Sequence, residues 1–139
     1  MSLDLIVVTP QGEAFSEAVE QVVLPGAEGE FGVLESHEKF LTALKSGAVE
    51  IKLPDGSTEW AAISDGFAEV TGSQVVVLVD ECFKAHEIDL EHAQHTRAEA
   101  ERELEQLLEE IETEETRARL EATVVRASAM IEVHGRHHG

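Results

Sequence analysis

From Asp89 to Val133 the chain runs for 45 residues without a glycine or a proline, and Ala, Glu, Leu and Arg dominate. No other feature narrows the possible folds as far: these residues cost a helix least, and the two missing types are the ones that break it. Leu90, Ala93, Ala100, Leu104, Leu107 and Ile111 recur at three- and four-residue spacing, with Arg97 the one polar member of the row, and Leu120, Val124, Ala127 and Ile131 repeat the pattern. Each row is a narrow apolar stripe, which predicts two helices, at about 89–111 and 114–133, zipped into a hairpin. Between them lies ETEET, Glu112 to Thr116, in which Thr113 can cap the second helix and Glu114 and Glu115 suit its first turn. Nothing there compels a break, and an unbroken helix would reach roughly 65 Å. A hairpin and an opened rod therefore both stay available, because an Ala-rich seam buries little apolar area.

Residues before Asp89 follow a different period. Leu5 to Val8 stops at Thr9-Pro10, Val19 to Leu24 stops at Pro25-Gly26, and Ala48 to Leu53 alternates, with Val49, Ile51 and Leu53 on one face. Pro54-Asp55-Gly56-Ser57 then supplies a preset φ and a glycine able to take positive φ, which is hairpin chemistry. Thr58 to Ile63, Phe67 to Thr71 and Gln74 to Asp80 continue the series, and Val75 to Val79, apolar at every position, is the expected central strand. Short strands punctuated this often predict a β-sandwich or barrel. The expected fold class is thus α+β in two domains, residues 1–86 forming the sandwich and 87–139 the antiparallel helical hairpin.

Five Phe, one Trp and no Tyr leave the core to Val, Leu, Ile and Ala, so tight aliphatic packing is expected rather than a large aromatic-lined cavity. The 10 basic residues stand against 29 acidic ones, a net charge of −19, which repels phosphate backbones and anionic lipid headgroups; no nucleic-acid partner is expected. Both halves are acidic, with 4 bases and 15 acids in residues 1–86 and 6 and 14 in residues 87–139. Cys82 is the one cysteine, which fits a reducing compartment, and the opening MSLDLIVVTP has no basic region of the kind a secretory signal carries. No run approaches the ~20 apolar residues of a membrane span, so no direct membrane insertion is expected.

No catalytic motif stands out in the sequence. His92 and His95 lie three apart, and His134, His137 and His138 crowd the end, but Cys82 has no second ligand at metal spacing, so no metal and no other cofactor is expected. Glu28 and Glu30 flank Gly29, the wrong charge for a phosphate cradle, and there is no nucleophile elbow. Among the helix arginines Arg126 differs. Its neighbours one turn away are Ala122, Thr123, Ala129 and Met130, so it has no carboxylate on its own helix and reads either as a snorkelling side chain or as a contact to a partner or anion.

The stretch LPGAEGEFGVLESHEKFLTALKSG, Leu24 to Gly47, carries a resemblance. It resembles the LPG-x-EGEFGVL-x-x-H-x-x-x-LTAL-x-x-G segment of the epsilon subunit of bacterial F-type ATP synthases, through Leu24-Pro25-Gly26, Glu28 to Leu34, His37, Leu41 to Leu44 and Gly47. Ser64 to Val70 is similar to the family's SGGFAEV, and Ile88-Asp89 with Ala93 to the start of its first helix. The resemblance implies a sandwich of about ten strands at the foot of the central stalk, touching the gamma subunit and the ring of membrane c subunits. It implies a turn-rich loop facing the ring, with Glu30, Phe31, His37 and Thr42 as docking residues. The implied role is rotor coupling of proton flow to ATP synthesis, on the cytoplasmic face of the bacterial inner membrane. Catalysis would be left to the alpha and beta subunits, which the helices would touch only transiently.

Departures from the family pattern limit its regulatory side. Some members bind ATP through an I/L-D-x-x-R-A motif; Ile88, Asp89 and Ala93 match it here, with His92 in the arginine's place. Glu99 and Met130 stand where other members have arginines, and Arg126 alone matches. Weak ATP binding and weak regulation of hydrolysis are therefore expected. Two other readings are a small-ligand β-domain with a coiled-coil dimerisation tail, and a small hydrolase using Glu28, Glu30 and His37.

Overall fold

The computed structural model describes residues 3–34, 39–107 and 114–138. His37, Ile111 and Thr113 lie outside the described residues. Ten strands come first: β1 Leu3–Thr9, β2 Gly12–Val19, β3 Gln21–Gly26, β4 Gly29–Val33, β5 Phe40–Leu44, β6 Gly47–Lys52, β7 Thr58–Ile63, β8 Gly66–Thr71, β9 Gln74–Val79 and β10 Cys82–Lys84. A single 3-10 turn, Ala85–Glu87, leads to α1, Leu90–Gln106, and α2, Glu114–His138. Hydrogen bonding runs β10-β7-β6-β3-β5-β8-β9-β1-β2, with β4 on the free edge of β3. The sandwich followed by two helices is the expected fold class.

Alternation decides which side chains face inward. Leu3, Leu5 and Val7 of β1 are buried while Asp4 is exposed, and Val75, Val77 and Val79 of β9 are buried while Leu78 is not. The two strands run parallel in register, Leu5 opposite Val75 and Val7 opposite Val77. With Val22, Leu24, Val49, Ile51 and Val70 they make the aliphatic core that the composition required. Each such side chain contributes about 1.5–3 kcal/mol of burial. Cys82 packs at the edge of this core, and burial pushes its thiol up to about 11, which keeps it protonated at neutral pH.

Several elements differ from the sequence expectation. Leu24 to Gly47 is not a long loop: β4 and β5 lie within it, and Glu30 sits in a strand opposite Pro25. The glycine- and acid-rich β4 has poor intrinsic strand propensity and forms because β3 offers it an edge. The expected Val19–Leu24 strand is broken at Glu20, whose N–H donates to the Lys52 carbonyl at 2.7 Å as the chain passes from the β1 pairing to the β6 pairing. Val75 to Val79 does have strands on both sides, but one of its faces is open.

The helices use more apolar surface than one stripe each. Ala93, Ala100, Leu120 and Ala127 are buried in the seam between α1 and α2 as the spacing implied. Arg97, instead of pairing along its own helix, donates from Nη1 to Ser128 Oγ at 3.5 Å across that seam. A second α2 face, Ala129 and Val133, packs on Ala48 and Ala62, which are opposite each other on the outer side of β6 and β7. Alanines there let the helix approach the sheet closely. That anchorage carries α2 past Val133, through Gly135, to His138.

Candidate docking sites

β3 and β4 form a hairpin whose tip is the two-residue turn Ala27-Glu28 between Gly26 and Gly29. The tip is stitched to β5 by the Ala27 N–H to the Ala43 carbonyl, 3.0 Å, and the Lys45 N–H to the Pro25 carbonyl, 2.9 Å. Between them lies a cleft of about 480 Å³ lined by Glu28, Glu30, Phe31, Leu41 and Thr42. Thus Glu30, Phe31 and Thr42 are brought together, with the carboxylates of Glu28 and Glu30 exposed as hydrogen-bond acceptors. Phe31 is only half available: its ring packs against the core and meets Phe40 edge-on at 6.1 Å.

Beside the tip, the outer face of the β5-β8-β9-β1 sheet is largely apolar, with Glu69 its charged member, and open to solvent at Leu41, Phe67 and Leu78. Ala43, Phe67, Leu78 and Val8 form one cross-strand row, and Leu41, Glu69, Val76 and Ile6 the next. Leu41 is 66%, Phe67 52% and Leu78 48% exposed. A sheet face open to water normally carries polar residues, so an exposed apolar row has the character of a contact surface. The sequence contained its signal in the unbroken run Val75 to Val79, where a half-solvated strand would have alternated; the run reads equally as a doubly buried strand.

The third region is where α2 crosses the sandwich. Ile88 and Ala93 are buried there and Asp89 caps α1, its Oδ1 accepting from the His92 N–H at 3.1 Å. Asp89 and Ala93 also line the cleft that holds Arg126. Arg126 is not the unpartnered cation that its own helix suggested: its Nη1 lies 3.2 Å from Glu81 Oε1 on the sandwich. Glu81 is 45 residues away in sequence, which is why helical spacing could not reveal the pair. The cleft around Arg126, about 330 Å³, has Glu81, Glu87 and Asp89 in its lining beside apolar and neutral side chains, so three carboxylates share it with one arginine.

Residues 2–85 match the family model for the β-sandwich domain of the ATP synthase delta/epsilon chain. The ATP synthase epsilon chain of Nitratidesulfovibrio vulgaris strain DP4 is 41% identical over 134 residues, 96% of each chain. The chain belongs to the ATP synthase epsilon-chain family. Its epsilon-type similarity extends to Staphylococcus aureus strain JH9, 43% identical over 105 residues, 75% of this chain and 78% of that one. In structure the epsilon-type fold matches a chain of the Euglena gracilis mitochondrial ATP synthase OSCP/F1/c-ring complex, with TM-score 0.79 and 24% identity over 93% of this chain and 79% of that one. A chain of the Tetrahymena thermophila ATP synthase central stalk and c-ring matches with TM-score 0.60 and 11% identity over 94% and 97%. At those identities the two structures speak for the fold alone.

Proposed function

We propose that the chain is a non-catalytic rotor subunit of the central stalk, coupling proton flow through the c-ring to ATP synthesis. The observation that carries this reading is the open apolar row Ala43-Phe67-Leu78-Val8, continuous at Leu41 and Ala43 with the acidic tip cleft. One surface offers dehydratable area and the adjoining one offers carboxylates, the pairing wanted where a stiff module lies between a protein shaft and the polar loops of a membrane ring. The gamma subunit is assigned to the apolar face. The c-ring is assigned to the tip, through Glu30, Phe31 and Thr42 together with His37. The alpha and beta subunits are met only transiently, by the helices.

Such a subunit works peripherally at the cytoplasmic face of the bacterial inner membrane. No helix among the described residues is long and apolar enough to cross a membrane. The dimerisation-tail alternative loses its main support, because the buried seam residues of α1 and α2 are spent on each other and Ala129 and Val133 on the sandwich.

The reading is tested by rebuilding the stalk complex in vesicles with and without the chain. With it, proton-driven ATP synthesis is expected; without it, hydrolysis is expected to persist while synthesis falls at least tenfold. Equal synthesis in both preparations overturns the proposal. For regulation, the expected result is that calorimetric titration of the isolated chain with ATP gives no micromolar affinity. Arg126 already has a carboxylate partner, and Glu87 and Asp89 in the same cleft repel a triphosphate. A micromolar Kd would refute that part.

A further inference from the structure

α2, rather than α1, carries the contact between the helices and the strands, meeting β6, β7 and the 3-10 turn. Its fully buried apolar footprint is small, Ala129 and Val133 over Ala48, Ala62, Ala85 and Ile88, with Trp60, Phe83 and Met130 partly buried around it. Four of the six buried residues are alanines, which bury little area each, so contacts at the margin of the patch weigh heavily in seating the helices.

Two cationic side chains of α2 flank that patch along the helix, Arg126 before Ala129 and Arg136 after Val133, and both reach the sandwich. Arg126 binds Glu81, and Arg136 lies with Cζ 5.1 Å from the centroid of the Trp60 ring. The two arginines are ten residues apart, roughly 15 Å along the helix axis. Glu81 is presented by a pinned turn. Ser64 Oγ accepts from the N–H groups of Asp80 at 3.0 Å and Glu81 at 2.9 Å, and the Ser64 N–H donates to the Glu81 carbonyl at 3.1 Å. Ser64 is the buried polar residue of the described chain, 7% exposed, so a turn fixed from inside the sandwich holds this carboxylate towards the helix.

We infer that Glu81 and Trp60 form a two-point clamp on Arg126 and Arg136 that sets how much of the time the helix pair is seated on the sandwich. Because α1 leans on α2, opening the clamp releases both helices as a unit and leaves the strands intact. The Arg126 and Glu81 side chains are 43% and 39% exposed, so the grip is partly screened and weakens with ionic strength. The clamp concerns the chain by itself and holds independently of its place in a rotor.

Native-state amide exchange on the full chain tests it, since exchange within residues 127–133 follows the unseated population. Glu81→Arg and Arg126→Glu are each expected to speed that exchange about tenfold, and Trp60→Leu about threefold, with β8 and β9 amides unchanged. The double swap Glu81→Arg/Arg126→Glu is expected to return to within about twofold of the parent chain. Half-molar salt is expected to speed exchange in the parent and not in Glu81→Gln. Unchanged rates in the single variants, no recovery in the double swap, or faster exchange spreading to β8 and β9 would each overturn the clamp, the last by making Glu81 part of the sandwich's own fold.

Discussion

A chain carrying Phe67→Glu and Leu78→Glu is expected to stay folded with a loss of about 2–3 kcal/mol and to lose co-purification with the gamma subunit. Both side chains are about half exposed and sit opposite each other on β8 and β9, so in the free chain the new carboxylates remain in water. The cost there is strand propensity, about 1 kcal/mol or less for each change, plus the mutual repulsion of two carboxylates placed opposite each other. In an assembled interface the same carboxylates would lie unpaired in an apolar contact. That costs several kcal/mol each, a loss of affinity of at least ~100-fold. Thermal unfolding of the isolated variant and a pull-down with gamma separate the two effects. Retained binding would mean that the open face is not the stalk contact, while lost binding in an unfolded variant is excluded by the melting curve.

Gly66→Ala is expected to be the most damaging small substitution in the sandwich. Gly66 lies between Leu44 of β5 and Val79 of β9, and a Cβ on it would stand 2.0 Å from the Leu78 carbonyl oxygen and 2.9 Å from Val79 Cγ1. The obstacle is backbone, which cannot rotate away, so strands must part or shift register. A loss of about 3 kcal/mol or more is expected, with a fall in Tm of roughly 10 °C. Gly135→Ala is the internal control. It lies in α2 with nothing within 4 Å of the added methyl, and a gain of about 0.5–1 kcal/mol is expected. Chemical denaturation of the two variants reads both signs. Equal stability for Gly66→Ala and the parent would show that the β8–β9 edge can open without cost.

Much of the fold was legible because its causes are local. Pro54 to Ser57 turns as its residues demand: Asp55 Oδ1 accepts from the Ser57 N–H at 2.8 Å, and the adjoining Gly56 takes φ +90. β1, β6, β7, β8 and β9 followed from alternation and β-branched residues. What stayed hidden was non-local. β4 has a composition that reads as loop and becomes a strand only beside β3. β2 and β10 borrow their order from β1 and β7. Of the proposed docking residues, Glu30, Phe31 and Thr42 are named through a sequence resemblance; no period or charge pattern singles them out.

By itself the sequence determined the two periods, the turns between strands, the aliphatic core and the segment Leu24 to Gly47 that carries the family likeness, since each depends on residues close together in the chain. Tertiary structure alone decided that α2 has a second working face, that Arg126 belongs to Glu81, and that Phe67 and Leu78 stand uncovered side by side. Those outcomes depend on which distant surfaces meet and which are left without a neighbour, a property of packing that no local pattern encodes.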